Sequence, residues 1–187
     1  MKPKLILLNG NPGIGKTTLA QRYVDEHPMT LNLDIDNLWI MMGGWDSPDS
    51  DSVRLRERYA HAIANMHLAE GYDVIVPSLM QTVEKYEAFG KIALAHDAVL
   101  TEIVLMTDID DAIERCKARA RSLGHPDGFR PGGVLDQGGR EKMLTDMYNN
   151  VLATIVQRPN IIQINSIQDQ TDETYKNLLK VVATDVQ

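Results

Sequence analysis

The segment that most constrains this chain is a run of eight residues near its start, which matches the pattern G-x-x-x-x-G-K-[ST] without deviation. The run reads Gly10, Asn11, Pro12, Gly13, Ile14, Gly15, Lys16 and Thr17. It directly follows a short apolar segment and opens a helical pattern of residues. A strand, a glycine-rich turn and a helix in this order gather backbone N–H groups into a concave nest at a helix N-terminus. The run therefore predicts a phosphate-binding loop inside an α/β fold.

The side chains at the end of this loop predict how phosphates and a metal ion are held. Lys16 carries a positive charge that can reach the β- and γ-phosphates of a nucleotide. The Thr17 hydroxyl can join the shell of a Mg²⁺ ion, because Mg²⁺ prefers oxygen ligands in a near-octahedral arrangement. Thr18 follows at the start of the helix and completes the set of predicted nucleotide-binding residues in this segment. The alternative interpretation is an ordinary glycine-rich turn between a strand and a helix.

Apolar runs and helical patterns alternate along the rest of the chain. The runs predict strands at residues 5–8, 30–33, 74–76, 100–106 and 161–164. The helical patterns cover residues 15–27, 52–70, 82–96, 108–121, 139–157 and 171–183. Most of the runs do not alternate polar with apolar residues, which is typical of parallel strands buried on both faces. The pattern predicts a three-layer α/β sandwich that forms one domain over residues 1–187.

Composition excludes several classes of protein. The chain has 187 residues and a net charge of −7, which argues against broad binding to nucleic acid or to anionic membranes. A single cysteine, Cys116, excludes an intrachain disulfide and a zinc site built on cysteines. No apolar run approaches the length of a membrane span. We therefore expect a cytoplasmic protein with neither a nucleic-acid nor a membrane partner, and the sequence leaves the oligomeric state open.

Two carboxylates follow the second predicted strand. Asp34 and Asp36 are two residues apart, so in an extended conformation they share one face. The carboxyl ends of strands in open α/β sheets face the ligand crevice. Asp34 is thus a candidate to hold a Mg²⁺-bound water, and Asp36 is a candidate to orient an attacking hydroxyl or to accept its proton. The alternative is that these residues are N-caps of a helix that starts near Asn37.

Arginines precede a loop rich in glycine and proline. Arg115 and Arg119 are four residues apart on one predicted helix and project on the same side. Guanidinium groups pair with phosphate oxygens and stack on bases. Residues 122–139 have the composition of a lid that closes over a bound nucleotide. The alternative is a solvated helix face on which the arginines pair with Asp111 and Glu114.

The acceptor side of the predicted site has arginines and tryptophans as candidates. Arg54, Arg56 and Arg58 lie on the helix after the acidic pair, and one or two of them could face an anionic acceptor. The alternative for each is a solvated position. Trp39 and Trp45 could line an acceptor pocket with an apolar wall, and structural packing is the alternative. We interpret Cys116 as a core residue on the apolar face of its helix.

The phosphate loop, the D-x-D pair and the arginine pair together resemble the small P-loop kinases. This group includes shikimate and gluconate kinases, chloramphenicol phosphotransferase, zeta-toxin-like kinases and uncharacterised kinases of the AAA type. The resemblance implies a P-loop NTPase sandwich with a parallel five-stranded sheet of order 2-3-1-4-5. It also implies ATP and Mg²⁺ as cofactors and an adenine pocket near Ile164, Asn165 and Ser166. In this family one arginine of the pair stacks on adenine and the other reaches phosphate.

The predicted function is ATP- and Mg²⁺-dependent phosphoryl transfer to a hydroxyl of a small-molecule acceptor. Lys16, Asp36 and Arg119 are the predicted catalytic residues; Thr17 and Asp34 serve the metal, and Arg115 and Arg119 join the loop in binding the nucleotide. In one departure from the family pattern, the third strand ends in Pro77 and Ser78, where many relatives have an aspartate. This departure leaves a regulatory ATPase or switch without a small acceptor as an alternative. The sequence leaves the acceptor and the choice of ATP over GTP open.

Overall fold

The computed structural model describes residues 2–45, 51–125 and 141–184. The strands in these ranges are β1 Lys4–Asn9, β2 Leu31–Asn32, β3 Val74–Pro77, β4 Val99–Met106 and β5 Ile162–Asn165. The helices are α1 Lys16–Glu26, α2 Ile35–Ile40, α3 Ser52–Ala69, α4 Val83–Ala95, α5 Ile109–Ser122, α6 Glu141–Gln157 and α7 Thr171–Thr184. Within the described ranges, no helix is both long and apolar enough to cross a membrane.

The strands form one parallel sheet in the order β2-β3-β1-β4-β5, which confirms the predicted order. β1 lies at the centre, where Leu7 is in register with Val76 of β3 and with Glu102 of β4. Because all the strands run in one direction, their carboxyl ends meet at the same edge of the sheet. The segments that follow these ends therefore lie side by side, and they carry the predicted site residues.

Two apolar clusters cover the two faces of the sheet and produce the three predicted layers. Successive residues of β1 point to opposite faces, as the period of a strand requires. Leu5 and Leu7 pack in one cluster with residues of α3, α4 and α6. Ile6 and Leu8 pack in the other cluster with residues of α1 and α7. β5 differs from the other strands because it lies at an edge of the sheet, where only Ile164 is buried.

A short helix replaces the extended segment that we expected around the acidic pair. β2 ends at Asn32, and α2 begins at Ile35 with Asp34 as its N-cap. Asp34 Oδ1 accepts a hydrogen bond of 3.0 Å from the backbone N–H of Asp36, which stabilises the first turn. The prediction that both aspartates share a face of an extended strand is therefore wrong. The capping alternative holds for Asp34, whereas Asp36 lies in the first turn of α2.

The predicted lid at residues 122–139 lies largely outside the described residues, which stop at His125 and resume at Glu141. The lid therefore stays a prediction. The structure shows how the helix before it ends. Gly124 has a φ of +90°, and its N–H donates to the carbonyl of Arg121 at 3.0 Å, while the N–H of His125 donates to that of Ala120 at 3.1 Å. A glycine in the left-handed region with such back-donating bonds is a common helix C-terminus.

Candidate active site

The phosphate loop between β1 and α1 needs its glycines for both conformation and space. Gly10 and Gly13 have φ angles of +145° and +79°. A Cβ atom at Gly10 would lie 2.9 Å from the backbone oxygen of Leu105 on β4. A Cβ atom at Gly13 would lie 3.1 Å from Cys116 Sγ on α5. The loop is therefore packed closely against the neighbouring strand and helix, which fixes the direction of its backbone N–H groups.

The side chain of Lys16 reaches back to the first residues of the phosphate loop. Its Nζ donates to the carbonyl oxygens of Gly10 at 2.7 Å and Asn11 at 3.0 Å. Burial lowers the pKa of Lys16 to about 8, and the charges of Asp36 and Asp34 counteract part of that shift. An ammonium group held in this way has donors directed at the loop where phosphate oxygens would lie, and it can exchange carbonyl partners for them.

A hydroxyl in the first turn of α1 contacts the carboxylate that caps α2. Thr17 Oγ1 donates to Asp34 Oδ2 at 3.3 Å, which brings together the two predicted metal residues. Both are oxygen ligands of the kind that Mg²⁺ prefers. In the described part of the chain there is no group of three or more His, Cys, Asp or Glu side chains that could hold a metal ion. These two residues therefore fit a Mg²⁺ ion that takes most of its ligands from phosphate and water.

Asp36 lies in the first turn of α2, and its charge acts on Lys16. Its Oδ1 accepts a hydrogen bond from Arg56 Nη1 at 3.0 Å, and its side chain is 82% exposed. Among the charges that act on Lys16, that of Asp36 raises its pKa most. The structure thus gathers Lys16, Thr17, Asp34 and Asp36 at the carboxyl edge of the sheet, with the Asp34 carboxylate against Thr17 and the Asp36 carboxylate open to solvent.

Arg115 connects the end of the sheet to the phosphate loop. Its Nη1 donates to Ser166 Oγ at 3.1 Å, and its Nη2 donates to the backbone oxygen of Ser166 at 2.7 Å. Ser166 Oγ in turn donates to the carbonyl of Ile14 in the loop at 3.0 Å. Arg115 therefore lies beside the segment predicted to form the adenine pocket and holds it against the loop. Stacking of Arg115 on a base stays a prediction.

Arg119 lies one turn further along α5 and is exposed. Its guanidinium has no hydrogen bond or ion pair within the described ranges, and its charge contributes to lowering the pKa of Lys16. Glu114, which we considered as a partner, pairs instead with Lys117 at 3.3 Å and Arg121 at 3.6 Å. Arg119 thus lies near Lys16 with donors that the described residues leave unpaired, as a phosphate-binding arginine requires.

Sequence reasoning missed the role of Asn9, the last residue of β1. This side chain is fully buried and makes four hydrogen bonds. Its Oδ1 accepts from the N–H of Gly10 at 2.7 Å and of Met80 at 2.8 Å, and its Nδ2 donates to the Met80 carbonyl at 2.8 Å and to the Tyr86 hydroxyl at 2.7 Å. Asn9 therefore fixes the start of the phosphate loop to the segment after β3. A polar residue that ends an apolar run was the available signal.

Cys116 lies against the loop and is only partly buried. Its Sγ donates to the carbonyl oxygen of Pro12 at 3.3 Å, and burial raises the pKa of its thiol. The thiol therefore stays protonated and acts as a small packing group with one weak donor. Its contact with the loop follows from the packing of α5 on the loop, and the sequence position of Cys116 gave no sign of it.

Comparison with solved structures gives the same fold at low sequence identity. A protein of Chloroflexus aurantiacus j-10-fl, provisionally assigned as a kinase, matches with a TM-score of 0.68 and 18% identity over 100% of both chains. The APS kinase CysC of Mycobacterium tuberculosis, in complex with AMPPNP and APS, matches with a TM-score of 0.60 and 17% identity over 97% of this chain and 98% of that chain. A chain of the Pnkp1/Rnl/Hen1 RNA repair complex matches with a TM-score of 0.66 and 19% identity over 83% of this chain.

The chain spans only 46% of that RNA repair protein, so the likeness concerns one part of it. No curated protein matches the chain. The family described as AAA domain matches residues 5–137, which include the phosphate loop, the acidic pair and the arginine pair. The chain therefore belongs to the AAA domain family and has the fold of the small P-loop kinases.

Proposed function

We propose that this protein is an ATP- and Mg²⁺-dependent kinase that phosphorylates a hydroxyl group of a small molecule. The observation that carries the proposal is the convergence of Lys16, Thr17, Asp34 and Asp36 on one edge of the sheet. The Thr17 hydroxyl is hydrogen-bonded to Asp34, and the charge of Asp36 acts on Lys16. A phosphate site, a metal pair and a second carboxylate are the parts that phosphoryl transfer needs.

On the nucleotide side, the loop amides and Lys16 bind the β- and γ-phosphates. Thr17 and Asp34 would hold the metal, and a bound Mg²⁺ would neutralise charge on the phosphate oxygens. Arg119 donates to the oxygens of the transferred group. The catalytic contribution is mainly positioning and electrostatic stabilisation, because the enzyme itself forms no covalent bond in this reaction.

On the acceptor side, Asp36 binds the hydroxyl that attacks the γ-phosphorus. Arg56 occupies Oδ1 of this carboxylate, which leaves Oδ2 to accept the proton. The acceptor oxygen forms a bond to the γ-phosphorus while the bond to the β–γ bridging oxygen breaks. The products are the phosphorylated acceptor and ADP, and the proton resides on Asp36 until it passes to solvent.

An adenine nucleotide is the proposed phosphoryl donor. The APS kinase of similar fold was solved with AMPPNP, which supports an adenine base in such a site. In this chain Arg115 holds Ser166 beside the loop, where the base of a nucleotide bound through its phosphates would lie. A guanidinium in this position can stack on a purine ring. The preference for ATP over GTP is part of the proposal.

A second candidate function is a regulatory ATPase or switch that has no small acceptor. The observation that favours it is the end of β3, where Pro77 and Ser78 stand and no carboxylate supports the metal or a water. Such a protein would hydrolyse ATP slowly and would respond to a protein partner rather than to a metabolite. Acceptor-dependent turnover separates the two candidates.

The test is transfer of labelled γ-phosphate from ATP to a panel of hydroxylated metabolites, nucleosides, antibiotics and a 5′-hydroxyl oligonucleotide. We expect one class of small acceptor to stimulate turnover. Asp36→Asn should then lower kcat by about 10²- to 10⁴-fold with little change in the KM for ATP, because general-base assistance is lost. Asp25→Asn, an exposed site on α1, is the matched control.

Full turnover by the Asp36→Asn variant would show that the assigned role is wrong. Hydrolysis that no acceptor stimulates would favour the regulatory ATPase. Transfer to the oligonucleotide alone would show that the acceptor is a nucleic acid, in conflict with our expectation from the net charge.

A further inference from the structure

A cluster of charged and aromatic side chains lies beside the proposed transfer site. The guanidinium carbon of Arg56 on α3 lies 4.0 Å from the centre of the Trp39 ring, and Arg56 Nη1 donates to Asp36 Oδ1 at 3.0 Å. Trp39 is itself fixed, because its Nε1 donates to Ser52 Oγ at 2.7 Å and its ring lies 5.0 Å from that of Trp45. Stacking and an ion pair thus hold the guanidinium in one place.

Arg56 differs from its neighbour on the same helix in burial and in pairing. Its side chain is 16% exposed, whereas that of Arg54 is 54% exposed and pairs with Asp51 at 2.7 Å. The Nε atom of Arg56 is buried and has no hydrogen-bond partner. An arginine carries five N–H donors, and Asp36 is the one hydrogen-bond acceptor that the described residues give Arg56. The guanidinium therefore has N–H donors that the described residues leave unpaired.

The position of Arg56 indicates that its unpaired N–H donors lie near the proposed acceptor. Asp36, the residue proposed to bind the attacking hydroxyl, pairs with Arg56 at 3.0 Å. A hydroxyl bound to Asp36 for attack on the γ-phosphate would place the rest of its molecule next to Arg56 and the indole of Trp39. A planar guanidinium with open donors selects carboxylate or phosphate oxygens.

We propose that Arg56 binds an anionic group of the acceptor, a carboxylate or a phosphate monoester, while the Trp39 ring forms an apolar wall beside it. This inference rests on the proposed kinase function, and it narrows the acceptor to anionic hydroxy compounds. Asp34 and Asp36, at the start of α2, place two carboxylates in this part of the molecule. An anionic acceptor therefore needs a fixed cation at this place, and Arg56 supplies it.

Tryptophan fluorescence provides a direct test, because the two tryptophans of the chain, Trp39 and Trp45, both lie in the cluster. Two matched sets of probes are titrated with and without Mg–ADP. The first set is glycerol, glycerate and glycerol 3-phosphate, and the second is sorbitol, gluconate and sorbitol 6-phosphate. We expect binding of anionic members and none of the neutral ones. Comparing the affinities for the carboxylates with those for the phosphate esters identifies which anion the site binds.

The variants separate this site from other anion sites. Arg56→Gln should weaken binding of the anionic probe by about 10- to 100-fold, since charge-assisted hydrogen bonds are lost. Arg56→Lys should restore part of that affinity, because it keeps the charge but not the fork. Arg54→Gln, on the same helix, should change it less than twofold. Circular dichroism and melting curves establish that each variant is folded.

Two results would overturn the inference: anionic probes that bind wild type no more tightly than neutral ones, or equal affinities in Arg56→Gln and Arg54→Gln. A variant at Arg56 that lowers only kcat would show that this residue positions Asp36 instead. Mg–ATP binding is measured on the same samples. If the protein binds anionic probes but not Mg–ATP, the kinase function is refuted. If it binds Mg–ATP but not the anionic probes, only the role of Arg56 is refuted.

Discussion

At the scale of single residues, Lys16 shows how the site balances opposing effects. Burial disfavours its ammonium form, and the carboxylates of Asp36 and Asp34 favour it, with a net lowering of the pKa from 10.5 to about 8. The group is thus charged at neutral pH yet close to losing its proton. Bound phosphates would add negative charge next to Nζ and favour the ammonium form, so nucleotide binding and protonation of Lys16 are coupled.

We predict that Mg–ADP binding weakens as pH rises above 8. Above this pH the lysine of the free protein loses its proton, and binding must then take a proton up. The Kd should rise by up to about tenfold per pH unit until the pKa of the bound state is reached. Calorimetry in two buffers of different ionisation enthalpy measures both the Kd and the proton uptake.

Lys16→Arg is the control for this prediction, because arginine stays protonated over the whole range. Its Kd should be nearly independent of pH between 7 and 10. The prediction fails if the wild type shows the same flat profile.

The lowered pKa of Lys16 also affects the stability of the protein. The free energy of unfolding of the ligand-free protein should increase as pH rises from about 8 toward 10.5, because the unfolded chain then binds the proton that the folded chain has released.

At the scale of secondary-structure elements, the end of β1 is tied to the start of α4. Asn9 joins the first residue of the phosphate loop to Met80 and to Tyr86 of α4 through four hydrogen bonds. Tyr86 is fully buried in the cluster on that face of the sheet. The side-chain amide of Asn9 therefore holds the phosphate loop to the segment after β3, and both its oxygen and its nitrogen are hydrogen-bonded.

We predict that Asn9→Ala lowers the free energy of unfolding by about 2–4 kcal/mol, since it leaves buried backbone groups of Gly10 and Met80 without partners. Tyr86→Phe removes one of the four bonds and should cost only about 0.5–1.5 kcal/mol. Urea denaturation measures both values. Asn9→Ala should also weaken Mg–ADP binding, whereas Tyr86→Phe should leave it nearly unchanged. Equal losses of stability in the two variants would contradict this role of Asn9.

At the scale of the whole molecule, the helices pack on a single sheet, and side-chain contacts link them to it. Arg158, after α6, makes two hydrogen bonds to Glu102 of β4, at 2.6 and 3.3 Å, and lies over the Tyr86 ring of α4. The Glu102 side chain is only 10% exposed, so this pair joins the helical layer to the centre of the sheet. We therefore expect residues 1–187 to behave as one cooperative unit, as a single domain does.

We predict a single thermal transition, and a large shift of its midpoint by Mg–ATP. At 100 times the Kd, the ligand should stabilise the folded state by about 2.7 kcal/mol. For a domain of this size that corresponds to roughly 5–11 °C in Tm. Differential scanning calorimetry measures both features, with Lys16→Ala as the variant that should lose most of the shift. Two separated transitions would contradict a single domain, and no shift in the wild type would contradict the nucleotide site.

Local sequence was sufficient to predict those features that depend on neighbouring residues in the chain. The phosphate loop is eight contiguous residues, and its glycines adopt the positive φ angles that the pattern predicts. The strand positions were confirmed to within one or two residues, because uninterrupted apolar runs such as that of β1 are buried on both faces. The strand order came from the family resemblance, since periodicity identifies elements without stating which of them are neighbours.

Tertiary structure alone decided which side chains meet. Asn9 meets Tyr86 and Cys116 meets Pro12, pairs that are 77 and 104 residues apart in the sequence. The solvated alternative does not hold for Arg56, since packing on Trp39 leaves its side chain only 16% exposed. A helical period indicates which face of an element is buried, but the partner on that face depends on how helices dock on the sheet. The sequence therefore determined which chemical groups the site contains, and the packing of the layers determined the geometry in which those groups are arranged.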